Sequence, residues 1–457
     1  MAARAEDKEV IFASYPVPKA IFTMAVPTVI SQLINLIYNI VDTFYIGRTG
    51  NSTMMAAASL ALTLVMLNTA FSNLFGIGGG SLIARLMGVQ RYGDVRKVSA
   101  FSCYGAIAVA LSYSLLTGLF MNPLLRFLGA SPESIGFARQ YVFLVIVAGS
   151  LPSLLSLTLA HLLRNTGFSK QASIGLSGGG LLNIMLDPLF MFVILPPGQE
   201  VFGAALATLL SNVAACIYLL FALNRASLSI RWKDARAISR ENVKKIFSVG
   251  ISSAILTGLF DLANVAANKL AAGHSDQTLA ALGIVMKVER VPNAINIGLC
   301  QGMMPIVAYN FSAGNRERLR SVLKTGISWG LGIAAIAIVL FRFFAEPVTR
   351  AFMLTTNDAA LATIAAAAGF LRIRCLASPV QFLNFASSFS MQGMGDGKRT
   401  VMHAAVRELV VYIPLMILLD HLFGERGLAA ALPAAEAISA VLAVFLLLRS
   451  LKRIDNR

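Results

Sequence analysis

The sequence predicts an all-α integral membrane protein of about 12 transmembrane helices in two pseudo-symmetric six-helix bundles, and three observations carry that reading. Of the 457 residues 57% are hydrophobic and only 13% charged, with a mean hydropathy of +0.72, whereas a water-soluble domain carries roughly 25% charge. Apolar runs near the roughly 20 residues that a helix needs to cross the hydrocarbon core recur from Ile21 to the C-terminal end. The two halves of the chain also repeat each other.

Against Gly, Pro and charge punctuation, the first-half spans read as residues 20–46, 55–87, 95–121, 141–163, 172–195 and 203–223. A basic, Trp-containing stretch at 224–245 is the longest polar break, which places an N-terminal bundle with its linker at 1–235 and a C-terminal bundle at 236–457. The second half then reads as 246–272, 278–311, 322–344, 361–391, 400–419 and 427–448. The glycine-rich 76–80 recurs at 298–302, 38–42 at 260–264, and 203–212 at 427–436; Pro152, His161, Arg164 and the loop 167–170 recur as Pro379, Gln392 and 395–398. Six helices per half insert both halves the same way, so they are expected to be related by an axis along the membrane normal.

The net charge of +16 raises nucleic acid as a partner, but the basic residues fall in alternate loops. One set of connections holds Arg91, Arg96 and Lys97, then Arg164 and Lys170, then Arg225 to Lys245, then Arg316 to Lys324, then Lys398 and Arg399, with Lys452, Arg453 and Arg457 extending it. That asymmetry follows the positive-inside rule and expects both termini in the cytoplasm, with an even span count. No basic patch is interleaved with aromatics, which argues against nucleic acid. The four cysteines, Cys103, Cys216, Cys300 and Cys375, sit on separate apolar segments without CxxC spacing and read as small buried hydrophobes. Residues 1–19 are polar and mixed in charge, unlike a cleaved signal peptide, so the first helix is expected to be retained.

An ionised side chain near the bilayer centre costs on the order of 3 kcal/mol, so an intramembrane carboxylate is a functional hypothesis by default. In the first span Gln32, Asn35, Tyr38, Asp42 and Tyr45 are spaced three, three, four and three apart and share one helix face. Pro27 in the same span removes a backbone hydrogen bond and allows a bend. The fifth span supplies Asn183 and Asp187, four apart and followed by Pro188; the sixth supplies Thr208, Ser211 and Asn212. Helix direction puts all of them in the outer half of the first bundle. Two carboxylates brought together in low dielectric favour proton uptake, while carboxylate, Asn and Thr oxygens at Asp42, Asn183, Asp187 and Thr208 suit Na⁺. The blander readings are an interhelical hydrogen-bond anchor for Asp42 and a cap on Pro-disrupted backbone for Asp187. Asp42 aligns with Asn264 in the repeat and Asp187 with about Ile413, so a requirement common to both halves does not explain the carboxylates. The coupling chemistry is therefore assigned to the first half, with Tyr38 beside it.

Candidates for a substrate cavity are Gln32, Asn35 and Asn212 in the first half and Asp261, Asn264, Glu289 and Glu436 in the second, where salt bridging with residues such as Arg372 and Arg374 is the competing account. His161 reads as a satisfied polar residue and not as a proton relay. Gly393, Met394, Gly395 and Asp396 spell a GxGD, but the aspartate falls in a turn with no second aspartate opposite. No GxxxxGK[ST] phosphate loop exists in the chain, so transport is expected to run on an H⁺ or Na⁺ gradient with no cofactor. The cluster Gly76, Gly78, Gly79 and Gly80 reads as close helix packing or a flexible point.

The chain resembles the multidrug and toxic compound extrusion (MATE) family, in its DinF-like prokaryotic branch. The resemblance covers nearly the whole chain: Ala25-Val26-Pro27 with Tyr38, Asn39, Val41, Asp42 and Gly47; the turn from Gly88 to Lys97; Asn183, Asp187 and Pro188; and Phe370-Leu371-Arg372-Ile373-Arg374 with Pro379. It implies two six-helix bundles facing each other in a V, exporting organic cations or amphiphilic drugs against H⁺ or Na⁺; the chain is expected to be a monomer in the cytoplasmic (inner) membrane. The resemblance further implies that Asp42 is central to coupling, that Asn183, Asp187 and Thr208 complete its cation site, and that helix one bends at Pro27. A lipid-linked precursor flippase of the same superfamily is the related alternative, expected to show more helices or a strongly basic cavity. An intramembrane enzyme would need a catalytic dyad, and a channel a filter-like loop; the sequence offers neither.

Overall fold

The computed structural model describes residues 2–224, 226, 228–351 and 358–455, so Arg225 and Arg457 of the basic set lie outside the described residues. Among the described residues all regular structure is helical. The first half contributes α1 (Val17–Arg48), α2 (Ser52–Gly88), α3 (Tyr92–Leu119), α4 (Ile135–Ala148 continued as Ser150–Asn165), α5 (Ser169–Ile194) and α6 (Glu200–Leu223). The second half contributes α7 (Arg240–His274), α8 (Asp276–Ser312), α9 (Arg316–Phe343), α10 (Asp358–Arg374 continued through Cys375–Ala377 and Ser378–Gly393), α11 (Gly397–Phe423) and α12 (Glu425–Asp455). These helices overrun the sequence-predicted spans because polar caps start them outside the apolar runs. The side chain of Asn51 accepts from Thr53 N at 3.0 Å, Ser239 from Asn242 N at 3.2 Å and Ser275 from Thr278 N at 3.0 Å, each satisfying a helix-end N–H.

Ten of these helices are long and apolar enough to span a membrane, and α4 makes eleven as a pair bent by 48° at Gly149. A π-helical turn, Phe143–Ala148, leads into that bend, a local widening and under-winding of the kind that commonly redirects a helix. The twelfth long helix, α8, runs 37 residues and is less apolar than the others, with Lys287, Glu289 and Arg290 in its middle and Asn293, Asn296 and Gln301 after them. The charge on Glu289 is answered inside the protein by Arg374, as described below. The short helix Trp232–Arg236 occupies the break between the halves, with Trp232 edge-on to Tyr104 at 4.7 Å.

The halves meet where glycine removes the side chain from a helix face. A Cβ on Gly250 of α7 would lie 1.9 Å from the Leu74 carbonyl oxygen of α2, and one on Gly78 of α2 would lie 2.4 Å from the Ile246 carbonyl oxygen. Gly298 and Gly302 of α8 similarly admit the backbone of Val29 and Ala25 on α1, at 2.6 and 2.4 Å. The repeated glycine segments are thus the seam between the halves, a small-residue packing that suits a solvent without a hydrophobic drive. Gly88 against the Tyr309 carbonyl oxygen, 2.3 Å from a notional Cβ, continues it toward the loops rich in Lys and Arg.

The N-terminal helix Ala2–Ala13 crosses the same end of the seam. The carboxylate of Glu9 accepts from Gln90 and the Tyr92 hydroxyl of the first half and from the Tyr309 hydroxyl of the second. Arg318 of α9 donates to the carbonyl oxygens of Phe12 and Tyr15, both at 2.6 Å, and Asn310 donates to that of Phe12 at 3.1 Å. A segment that reads as a polar tail in sequence is therefore a cross-brace. Asp396, the aspartate of the GxGD string, lies in the turn before α11. It accepts from Ser450 Oγ at 2.9 Å and pairs with Arg399 and, at 3.2 Å, Arg453. Burial works to raise its pKa, but these bonds and charges hold it below the usual carboxylate value.

A Cβ forced against backbone costs about 1–3 kcal/mol, so Gly250→Ala should lower the melting temperature of the detergent-solubilised protein. Gly258→Ala on the same helix, where nothing lies within 4 Å, is the control and should leave it unchanged; equal effects at both positions would refute the seam.

Candidate functional site

A cavity of about 360 Å³ lies between the halves, walled by α1, α2, α4, α5 and α6 on one side and by α7, α8, α10 and α11 on the other. On α2 its lining runs from Leu62 to Ile77, a depth of about 22 Å at 1.5 Å rise per residue. The polar stripe predicted on α1 faces it through Gln32, Asn35, Tyr38 and Asp42, and Asn183, Thr208 and Asn212 also line it.

Glycines on α5 bring the carboxylates together. A Cβ on Gly180 would meet the Tyr38 ring at 3.3 Å, and one on Gly179 would meet the Ser211 carbonyl oxygen at 3.2 Å, so α1 and α6 both pack close to α5. One turn further on, Asn183 Nδ2 donates to Asp187 Oδ1 at 3.2 Å and to Thr208 Oγ1 at 3.3 Å, while Thr208 donates to the Ala204 carbonyl oxygen at 3.0 Å. Asp187 is fully buried, and its partner is this side-chain amide and not Pro188-disrupted backbone. Asp42 lies within electrostatic reach of Asp187, and Tyr38 and Tyr141 of both.

The arrangement has more acceptors than donors. Asp42 Oδ1, Asp187 Oδ2 and Asn183 Oδ1 are buried without any hydrogen-bond partner, as is Ser211 Oγ. Buried acceptors left unpaired are costly and uncommon. Oxygens of this kind suit a proton or a hard cation, since carboxylate, amide and hydroxyl oxygens are the ligands of alkali and alkaline-earth ions.

The MatE family model matches residues 27–189 and 249–418, one segment in each half and more than half of the chain. The chain belongs to the MatE family. Among similar proteins, Multidrug export protein MepA of Staphylococcus aureus (strain MRSA252) is 31% identical over 443 residues, covering 95% of each chain. MepA of Staphylococcus saprophyticus is 29% identical over 449 residues, covering 97% of each. The fold matches a crystal structure of MATE in complex with MaL6 at a TM-score of 0.92, with 21% identity, over 98% of this chain and 99% of that one.

In this MatE chain the second-half candidates stand apart from the cavity wall: Asp261, Asn264, Glu289 and Glu436 do not line it. Glu289 is gripped by Arg374 through two parallel bonds of 2.9 and 2.8 Å. Glu436 accepts from Arg407 Nε at 3.1 Å and from Asn384 Nδ2 at 2.6 Å. Both are engaged in holding helices together. Pro27 sits within an unbroken α1, where Thr28 and Ser169 both donate to the Met24 carbonyl oxygen, at 2.9 and 2.7 Å. Sequence reasoning passed over Tyr141, Gln301 and Arg407, all of which line the cavity. For Arg407 the signal was present: Arg407-Glu408 is a charged pair inside an apolar span, which ranks as a functional position by default.

Breaking a buried ion pair by removing one partner costs about 3–5 kcal/mol, while replacing both partners is often neutral. Arg374→Met is therefore expected to lower thermal stability more than the double variant Arg374→Met/Glu289→Met. A double variant less stable than Arg374→Met alone would assign Glu289 a separate role.

Proposed function

We propose that this MatE protein is a cation-coupled antiporter that exports organic cations, drugs or amphiphilic metabolites by alternating access, with the coupling ion, H⁺ or Na⁺, bound at Asp42, Asn183, Asp187 and Thr208 beside Tyr38. The observation that carries the reading is the set of unpartnered buried oxygens on Asp42, Asp187 and Asn183. Membership of the MatE family and the multidrug export named for its relatives support the transport class and argue against an enzyme.

The mechanism follows from linkage. An ion entering from outside satisfies the orphaned oxygens, draws Asp42 on α1 toward Asp187 on α5, and moves α1 around Pro27, where one backbone bond is already missing. That movement reshapes the cavity, whose wall includes Gln32, Asn35 and Asn212, and displaces the substrate outward. Release of the ion inward resets the carrier. Each ligand shifts the carrier only as far as it binds the two facing states differently, and the coupling is reciprocal. The chain is read as a monomer in the cytoplasmic membrane with both termini inside, on the loop asymmetry of Lys and Arg; bilayer lipid surrounds it, and nucleic acid is no partner.

Substrate efflux from proteoliposomes under an imposed ΔpH or ΔNa⁺ tests the reading. Coupling free energies of 1–3 kcal/mol correspond to roughly 5- to 150-fold, and Asp42→Asn should lose gradient-driven efflux within that range under whichever ion drives the wild type. Unchanged efflux by Asp42→Asn under both gradients would sink the proposal.

A further inference from the structure

At the end of the cavity remote from Asp42 sits a buried cation without a counter-ion. Arg164, in the last turn of α4, is 3% exposed and lines the cavity with His161 and Gln301. Its level is fixed by α2: a Cβ on Gly76 would meet the His161 ring at 2.9 Å and one on Gly80 the Asn165 amide at 2.5 Å, whereas Asp42 lies near the opposite end of α1, two turns from Arg48. Arg164 Nη1 donates to Gln301 Oε1 at 3.0 Å and lies 3.3 Å from His161 Nδ1. Neither partner is an anion, and one comes from each half of the protein. Nε has no partner, and no carboxylate among the described residues bears on the guanidinium.

Among the described residues the other buried arginines are compensated. Arg374 has Glu289, and Arg407, which also lines the cavity, has Glu436 and Glu408. Helix C-terminal carbonyls near Arg164 offset only a fraction of a unit charge, so a full positive charge remains unmatched in a low-dielectric wall. A guanidinium presents a planar fork of donors matched to carboxylate and phosphate oxygens. An unpaired one facing a cavity is therefore short of an anion, just as the Asp42 region is short of a cation.

We propose that Arg164 is an anion-recognition point, binding the carboxylate, sulfonate or phosphate group of an amphiphile seated in the cavity. On the export reading above, this makes amphiphiles that carry an oxyanion, zwitterions included, favoured cargo over purely cationic ones of the same shape. Gln301, from the second half, orients the guanidinium, so occupancy of the site reports on both halves at once.

The test uses a matched pair of xanthene dyes, one a free carboxylate and the other its ethyl ester, titrated by fluorescence anisotropy against the purified full chain in neutral detergent. A charge-assisted pair supports a preference of about tenfold, so wild type should bind the acid about tenfold more tightly. Arg164→Gln should erase the preference and leave the ester affinity unchanged, and Arg164→Lys, which keeps the charge without the fork, should fall between. Equal affinities on wild type, a measurement needing no variant, would overturn the proposal, as would a preference that survives Arg164→Gln.

Nanodiscs with and without phosphatidylglycerol identify the source of the anion. Competition with the acid dye, together with loss of lipid retention in Arg164→Gln by native mass spectrometry, supports the site with a headgroup as its ligand; absence of competition supports it with a solute. A chain that prefers the acid yet moves neither dye keeps the site and loses the export reading. One that exports the ester without preferring the acid does the reverse.

Discussion

A chain embedded in hydrocarbon must satisfy its own polar groups, and this constraint organises the whole molecule. Most of the buried charge here obeys it: Glu289 closes on Arg374, Glu436 on Arg407 and Asn384, and Asp396 on Ser450, Arg399 and Arg453. Against that background, Asp42 and Asp187 are the carboxylates that keep a buried oxygen without a partner among the described residues, with Asn183 Oδ1 beside them. They sit together because Gly179 and Gly180 let three helices approach closely. On the proposed reading, this carboxylate, amide and hydroxyl chemistry suits a proton or a cation.

The same lack of side chains joins the halves. At Gly78, Gly250, Gly298 and Gly302 backbone meets backbone across the repeat, toward the helix ends that carry the basic loops. The N-terminal helix adds Glu9 to that end, with hydroxyl and amide donors from both halves. The seam is apolar as well as close: Ile77, Leu82 and Met87 of the first half share one buried cluster with Ile246, Leu299 and Met303 of the second.

Much of this was legible in the sequence, for identifiable reasons. Spans are legible because the bilayer imposes a length, and the repeat because equivalent helices keep glycines and prolines at equivalent turns. The polar stripe of α1 is legible because period 3.6 survives in any environment. Partnership was harder to see. Asp261, Asn264, Glu289 and Glu436 looked as suited to a cavity as Asn212 did, because whether a carboxylate faces a cavity or an arginine depends on a residue more than 80 positions away, as with Glu289 and Arg374. Arg164 read as one more positive charge at a loop, and only the packing of Gly76 and Gly80 against its helix shows that it is buried. The role of residues 2–13 was invisible for the same reason: nothing in a short, polar helix announces that Gln90 and Tyr309 will meet over Glu9.

Direct ion binding tests the central claim most closely. Purified protein in weakly buffered detergent should either bind ²²Na⁺ in a scintillation proximity assay or release protons when substrate is added, and Asp42→Asn and Asp187→Asn should each abolish that signal. A wild-type protein that shows neither Na⁺ binding nor substrate-linked proton release, or variants that retain the wild-type signal, would contradict the assignment of these carboxylates as the coupling site.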